Sequence, residues 1–198
     1  MASEVPPVSV CVYCGSREGA RPAYARAARA VGAEIGRRGW QLVYGGGRAG
    51  LMGAGAVAAL AGGARVVGII PQSLMDREVG HPGLAELHVV RTMHERKRLM
   101  AERSDAFLAL PGGIGTFEEL FEAWTWRQLG YHDKPLALLD VDGYYAPLLG
   151  FMASTVREGF VDKAQNALLQ TGDDPVDLLR RLAVLIPKAT EPDDYRLI

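Results

Sequence analysis

The stretch Leu110-Pro111-Gly112-Gly113-Ile114-Gly115-Thr116-Phe117-Glu118-Glu119 separates two segments of different hydrophobic pattern. The apolar run 106–110 before it predicts a buried strand, and the amphipathic stretch 117–129 after it predicts a helix. Glycines between a strand and a helix let the backbone approach an anion, and the helix N-terminus favours negative charge. Glu119 lies about one turn inside this helix. The stretch therefore predicts a phosphate site with a carboxylate beside it.

Strand and helix patterns alternate along the rest of the chain. The patterns predict strands at 8–13, 40–44, 65–70, 87–90, 105–110, 135–139 and 167–169. They predict helices at 22–38, 50–61, 94–103, 117–129, 144–158 and 175–186, and a polar loop at 76–83. Such alternation is typical of parallel strands joined by right-handed crossovers. The fold prediction is an α/β, three-layer, Rossmann-like doubly wound parallel sheet.

The length of 198 residues suits a single domain with a sizeable core. We place this domain at 8–187, between a flexible N-terminus at 1–7 and a C-terminal tail at 188–198. Ligands of doubly wound sheets bind beyond the carboxyl ends of the strands. The glycine clusters at Gly15, 45–47 and 112–113 all fall at such ends, so we expect the site there.

Composition argues against several classes of function. The formal net charge of −1 disfavours a protein that coats nucleic acid. No apolar run is long enough to cross a bilayer, and the first residues lack a signal-peptide pattern, so a cytoplasmic location is predicted. Four histidines without a ligand-spaced pair make a metal site improbable. Cys11 and Cys14 lie on the first predicted strand and point to opposite faces, which favours buried thiols over a redox pair.

Two motifs have competing interpretations. Gly45-Gly46-Gly47-Arg48-Ala49-Gly50 resembles a dinucleotide fingerprint, but no acidic residue ends the next strand, so NAD binding is disfavoured. These glycines allow close helix–sheet packing or the approach of a nucleotide. Thr116-x-x-Glu119 also fits a helix capping box, in which Glu119 has only a structural role. The glycine turn before it favours chemistry, and both roles stay open.

The segment 93–100 carries cations on its apolar side. Met93, Arg96, Lys97 and Met100 share one helical face, where a buried cation needs an anionic partner. Further on, Trp124 and Trp126 lie two positions apart on one helix, and at about 100° per residue their side chains point roughly 160° apart. We therefore expect one indole to meet a partner subunit or a ligand base.

Taken together, these motifs resemble the LOG family, the cytokinin-activating phosphoribohydrolases once mislabelled lysine decarboxylases. The resemblance spans about 10–135 and keeps the family order. It rests on Tyr13-Cys14-Gly15-Ser16, Gly45-Gly46-Gly47-x-x-Gly50-Leu51-Met52-Gly53, Met93-His94-x-Arg96-Lys97, Pro111-Gly112-Gly113-x-Gly115-Thr116-x-x-Glu119 and Thr125-Trp126-x-Gln128-Leu129-Gly130-x-His132-x-Lys134-Pro135.

The resemblance implies hydrolysis of the N-glycosidic bond of adenosine 5′-monophosphates, with N6-isoprenoid substrates preferred over AMP. It implies an enzyme of the N-glycosidase class (EC 3.2.2.-) that resembles AMP nucleosidase, without a cofactor or metal, acting as a homodimer on a small-molecule nucleotide. Arg96 and Glu119 are the implied catalytic pair. The implied nucleotide site comprises Ser16, Gly46, Glu78, Arg96, Lys97, Gly112, Gly113, Ile114, Gly115, Thr116, Phe117, Glu118, Glu119 and Thr125.

Two other functions compete with hydrolysis. A non-catalytic nucleotide-binding or carrier protein of the same fold keeps the glycine turn without the Arg96 and Glu119 pair, and both residues are present here. A decarboxylase that uses pyridoxal phosphate needs a Schiff-base lysine with a recognisable cofactor site. Lys97 is one of only four lysines and is flanked by arginines, so this alternative is disfavoured.

Overall fold

The computed structural model describes residues 8–78, 83–189 and 193–195. Its strands are β1 Ser9–Tyr13, β2 Gln41–Tyr44, β3 Arg65–Pro71, β4 Glu86–Val90, β5 Ala106–Ala109, β6 Leu136–Leu139 and β7 Leu169–Gly172. Its helices are α1 Pro22–Arg37, α2 Gly50–Ala61, α3 Gln72–Glu78, α4 Met93–Glu102, α5 Ile114–Gln128, α6 Ala146–Arg157, α7 Lys163–Asn166 and α8 Pro175–Leu185.

The seven strands form one parallel sheet in the order β4-β3-β2-β1-β5-β6-β7. One face packs against α1, α2 and α8, and the other against α4, α5 and α6. Strands β1, β2, β5 and β6 are buried almost throughout because helices cover both faces. The predicted three-layer doubly wound fold is confirmed.

The two cysteines lie in the cores on opposite faces of the sheet. Cys11 belongs to the core under α4 and α5, and Cys14 to the core under α1 and α2. Both thiols are free, and burial raises the pKa of each well above its usual value. The buried-thiol interpretation is therefore confirmed.

Three elements differ from the sequence prediction by more than two residues. The polar stretch predicted as a loop at 76–83 begins as the last three residues of α3, and 79–82 lie outside the described residues. Helix α5 begins at Ile114 instead of 117, because the glycines continue directly into the helix. The last strand occupies Leu169–Gly172, since residues 163–168 form α7 and a turn in which Leu168 N–H donates to Gln165 O.

The expectation that one indole of α5 is left for a partner or a ligand is wrong. Trp124 and Trp126 are both buried, at 6% and 7% exposure. Trp124 Nε1 donates to Gln165 O at 3.1 Å, so α7 covers this ring. Trp126 packs edge-on against Tyr195, with ring centroids 5.9 Å apart. Segments distant in sequence therefore cover both indoles.

The segment Asp193–Tyr195, from the predicted C-terminal tail, packs onto the core. Lys134 Nζ pairs with Asp193 Oδ2 at 2.5 Å, and Asp194 N–H donates to Tyr131 O at 2.9 Å. Tyr195 is 4% exposed and lies against Trp126. Within the described ranges, no helix has the length and apolar character that a membrane span requires. The cytoplasmic location stays a prediction.

Candidate active site

A cavity of about 650 Å³ opens at the carboxyl ends of β1 and β5. These strands are neighbours, with Tyr13 opposite Ala109, and their following helices pack on opposite faces of the sheet. This is the topological switch point, where doubly wound sheets bind their ligands. Its walls are the segments 14–19 and 111–116, with the side chains of Arg96, Glu119 and Tyr144.

We name residues 110–116 the donor loop, because the carbonyl oxygens of 110–113 are occupied and the N–H groups of 112–116 are not. The carbonyl acceptors of 110–113 are all bonded: Leu110 O by Tyr145 OH (2.7 Å), Pro111 O by Gly15 N–H (3.1 Å), Gly112 O by Tyr144 OH and Gly113 O by Phe117 N–H (3.1 Å). Within the described residues, the N–H groups of 112–116 have no acceptor. Four of them belong to the N-cap Gly113 and the first three residues of α5, where N–H groups lack partners inside the helix. The loop therefore offers donors only, as an anion requires.

The three glycines of the donor loop have different roles. A Cβ on Gly112 would lie 2.1 Å from Thr116 Oγ1, so the packing of the loop itself requires glycine there. A Cβ on Gly113 or Gly115 would meet no protein atom within 4 Å. The space beside these two glycines is open, which leaves room for a ligand to approach the backbone.

Arg96 is held from behind by backbone carbonyls. It is 6% exposed, and its Nε and Nη2 donate to Ile69 O and Gly45 O, each at 3.1 Å. A Cβ on Gly45 would lie 2.0 Å from Nη2, so glycine at 45 makes room for the guanidinium. No ion pair to Arg96 is found in the part of the chain that the structure describes. Its charge therefore stays available to Glu119 and to an anionic ligand in the cavity.

Glu119 lies on α5 and lines the same cavity as Arg96. Burial is the largest influence on this carboxyl and raises its pKa to about 7, although the positive charge of Arg96 acts in the opposite direction. Among the described residues, no hydrogen bond or ion pair holds its oxygens. A half-buried carboxyl with a raised pKa and no structural partner is typical of a catalytic group.

The capping-box interpretation of Thr116 and Glu119 is wrong. Helix α5 begins at Ile114 with Gly113 as N-cap, and no side chain caps it. Thr116 therefore lies within the first turn, buried at 4% exposure. Glu119 lies more than one turn into the helix, too far along to serve as the capping carboxylate.

Lys97 has the anionic partners that its apolar position requires. Its side chain is 7% exposed, and Nζ pairs with Glu118 and with Glu122, whose Oε2 is 2.9 Å away. Burial alone would lower the pKa of Lys97, but the two carboxylates outweigh it and raise the pKa. These three residues join α4 to α5 outside the cavity wall.

The remaining residues of the predicted site form two groups, those that line the cavity and those that lie away from it. The cavity is lined by Ser16, Gly112, Gly113, Ile114, Gly115 and Thr116, beside Arg96 and Glu119. Away from the wall, a Cβ on Gly46 would meet Ile70 and Leu87, Phe117 packs on Tyr145, and Thr125 Oγ1 donates to Phe121 O. The side chain of Glu78 lies outside the described part of the structure.

Sequence reasoning missed Tyr144, Tyr145 and Glu122. The two tyrosines bond the donor loop from the β6–α6 connection, and Glu122 completes the Lys97 cluster. One sequence signal for these contacts was the pair of tyrosines directly after Asp142-Gly143, a dipeptide typical of turns. Within the described ranges, no group of three or more His, Cys, Asp or Glu side chains is placed to hold a metal ion.

Comparison with known proteins gives a consistent family. Residues 52–182 match the family model described as "Possible lysine decarboxylase". The chain is 47% identical over 179 residues to the rice (Oryza sativa subsp. japonica) probable cytokinin riboside 5′-monophosphate phosphoribohydrolase LOGL2, covering 90% of this chain and 73% of that protein. It is 45% identical over 179 residues to the Arabidopsis thaliana enzyme LOG1, covering 90% and 84%.

Solved structures with the same architecture are more distant in sequence. The molybdenum cofactor binding protein of Rippkaea orientalis superposes with a TM-score of 0.70 at 21% identity, covering 93% of this chain and 99% of that one. The molybdenum cofactor carrier protein of Chlamydomonas reinhardtii gives 0.70 at 20% identity, covering 92% and 99%. At these identities the similarity extends to the fold alone.

Proposed function

Since the chain belongs to the LOG family of cytokinin riboside 5′-monophosphate phosphoribohydrolases, we propose that it hydrolyses the N-glycosidic bond of adenosine 5′-monophosphates. The products are a free base and ribose 5-phosphate, and substrates with an isoprenoid-type N6 substituent are preferred over AMP. The observation that carries this proposal is the donor loop beside Glu119, which combines an anion site and an unpartnered carboxyl in one cavity.

The phosphate is the anchor of the substrate in this proposal. The free N–H groups of Gly113, Ile114 and Gly115 donate to its oxygens, and the N-terminus of α5 favours its charge. Anchoring the phosphate fixes the ribose relative to Glu119, which turns an encounter into an oriented reaction. Arg96 adds a second donor group from the opposite wall.

The chemistry proposed for Glu119 follows from the charge that develops on the sugar. As the bond from C1′ to the purine nitrogen breaks, positive charge appears on the ribose in an oxocarbenium-like transition state. The Glu119 carboxylate stabilises that charge and orients the water whose oxygen bonds to C1′. One proton of the water leaves towards the carboxylate, and the departing base takes up a proton.

The direct test is the release of ribose 5-phosphate. Purified protein is incubated with AMP and with N6-isopentenyl-AMP, and free base and ribose 5-phosphate are quantified by chromatography. We expect a higher kcat/KM for the N6-substituted nucleotide. Tight nucleotide binding without any product would support the carrier alternative instead.

The pH dependence of kcat/KM tests the protonation state of Glu119. Because its pKa is raised to about 7, the carboxylate fraction grows as the pH rises through that value. We expect kcat/KM to increase through about pH 7 and then level off, as this parameter reports the free enzyme. This inflection can be told apart from the second ionisation of the substrate's phosphate ester, whose pKa is about 6. A rate that falls through pH 7 would instead make the protonated acid the active form.

The surroundings of Lys97 and Lys134 argue against the decarboxylase activity that the family model names. A Schiff base forms through a neutral amine, whereas Lys97 is held as an ammonium by Glu118 and Glu122. Lys134 is likewise buried, and its Nζ donates to Ala101 O at 2.9 Å and pairs with Asp193. Neither amine lines the cavity.

A homodimer is the assembly that we propose, with a second copy covering α6. No residue of α6 is buried, and Phe151 and Phe160 are 63% and 85% exposed. Two large exposed aromatic side chains in one region are typical of an interface. We expect light scattering to give the mass of two chains for the wild type and of one chain for the double variant Phe151→Glu, Phe160→Glu. A monomeric wild type would contradict this proposal.

A further inference from the structure

The donor loop is shaped by a side chain from another part of the chain. Tyr144, in the connection between β6 and α6, donates its hydroxyl hydrogen to Gly112 O. Its ring also lines the cavity. We propose that Tyr144 is a positioning residue, which holds the peptide between Gly112 and Gly113 so that its N–H is presented to the substrate phosphate. This inference rests on the proposed function.

The geometry of the peptide bond connects the hydroxyl to the phosphate. Across a trans peptide, the C=O of one residue and the N–H of the next point in opposite directions. The bond from Tyr144 to Gly112 O therefore fixes the direction of Gly113 N–H, which has no acceptor among the described residues. Gly15 fixes the preceding peptide in the same way through Pro111 O, at 3.1 Å.

The need for this bond comes from the glycines. Gly113 has open space around it and Gly112 is itself a glycine, so the peptide between them has more rotational freedom than any other in the loop. Without the tyrosine hydroxyl, a rotated peptide would present a carbonyl oxygen to the phosphate. Two oxygens of like partial charge repel each other, so the orientation of this peptide decides whether it attracts or repels the phosphate.

Tyr144 is itself well anchored for this task. Its ring packs edge-on against Tyr145 and Tyr24, with centroids 4.8 and 5.5 Å away. Its N–H donates to Val141 O at 3.1 Å, and the next N–H, of Tyr145, donates to Asp140 Oδ1 at 2.6 Å. The ring is therefore fixed in place, so little further side-chain entropy is lost when its hydroxyl forms the hydrogen bond.

The test replaces Tyr144 by phenylalanine, which removes the hydroxyl and keeps the ring. Calorimetry measures the Kd for ribose 5-phosphate and for adenosine, which lacks the phosphate. We expect the Kd for ribose 5-phosphate to rise about tenfold, the loss of roughly one net hydrogen bond to a charged group, while the Kd for adenosine stays unchanged. In the assay with AMP, KM should rise more than kcat falls.

The matched control is Tyr195→Phe, which removes a buried hydroxyl that has no hydrogen-bond partner in the described structure and lies outside the cavity. It should leave both Kd values unchanged. An unchanged Kd for ribose 5-phosphate in Tyr144→Phe overturns the inference, and so does an equal loss for adenosine, which would indicate a general structural role.

The binding measurements separate this inference from the proposed reaction. If the wild type binds ribose 5-phosphate in a Tyr144-dependent manner but releases no product from AMP, the reaction is wrong and the positioning role stands. If the wild type hydrolyses AMP while Tyr144→Phe binds ribose 5-phosphate normally, the reaction stands and the positioning role is wrong. Thermal melts of each variant confirm that the compared proteins are folded.

Discussion

Glu119→Gln is expected to lower kcat for AMP or its N6-substituted analogue by about 10³-fold, which corresponds to roughly 4 kcal/mol of transition-state stabilisation. The amide is nearly isosteric with the carboxyl but carries no negative charge to stabilise the oxocarbenium-like ribose. Single-turnover kinetics with the N6-substituted substrate measure the loss. The affinity for ribose 5-phosphate should persist, because the proposed phosphate site is the donor loop and not Glu119.

The same substitution should stabilise the fold at alkaline pH. The folded-state pKa of Glu119, about 7, lies above the ordinary carboxyl value of 4.5. Between these values the folded state binds more protons than the unfolded state, so the free energy of unfolding falls as the pH rises. A glutamine removes this penalty, and at pH 8 the variant should gain up to about 3 kcal/mol over the wild type.

The control for this experiment is Glu102→Gln on α4. Glu102 makes a surface pair with Arg98, at 2.7 Å, whose loss should cost at most about 1 kcal/mol and no activity. If Glu119→Gln turned over substrate at a rate near that of the wild type, the catalytic assignment would be wrong. A Glu119→Gln variant less stable than the wild type at pH 8 would show that the carboxyl has a structural partner.

Arg96→Lys is expected to lower kcat/KM by about 10²-fold, or roughly 3 kcal/mol. The charge is retained, but an ammonium has no planar fork to reach Ile69 O and Gly45 O while it also faces the cavity. The lysine amine can bind either the two carbonyl oxygens or a ligand in the cavity, but not both. Steady-state kinetics with AMP measure the loss, which should appear in both kcat and KM.

Arg98→Lys provides the matched control on the same helix. Arg98 is 47% exposed and pairs with Glu102, so its replacement should leave kcat/KM unchanged. Equal activity of the Arg96→Lys and Arg98→Lys proteins would mean that only a positive charge is needed at 96. That result would contradict a role for the two carbonyl bonds in orienting the guanidinium.

The layered fold was predictable because its signals are local. Each buried strand is an apolar run bounded by glycine, proline or polar residues, and α2 was predicted with its observed limits, Gly50–Ala61. Motifs also predicted that Gly112, Gly113, Arg96 and Glu119 belong to one site, and all four line one cavity, while their roles stay a prediction. In contrast, the first turn of α5 was not predicted, because two glycines precede Ile114 and glycine has a low helix propensity.

What the sequence could not predict depends on contacts between distant segments. Tyr144 meets Gly112 across 32 positions, and no periodicity connects the two residues. Trp124 is covered by α7, 41 positions further on. Residue spacing within one helix predicts which face a side chain occupies, but the neighbour that covers this face is determined only by the tertiary fold.

The central position of β1 and β5 has a consequence for how the protein acquires its binding capacity. The two walls of the cavity come from the first strand of the chain and from a strand that pairs with it only after about 95 residues have intervened (Val10 opposite Ala106). Pairings of such long range form slowly, because the entropy of closing a large loop must be overcome first. A nascent or partly assembled chain therefore cannot recognise the nucleotide. A ligand present during refolding binds only the fully folded protein. It therefore stabilises the completed sheet and no partly folded state.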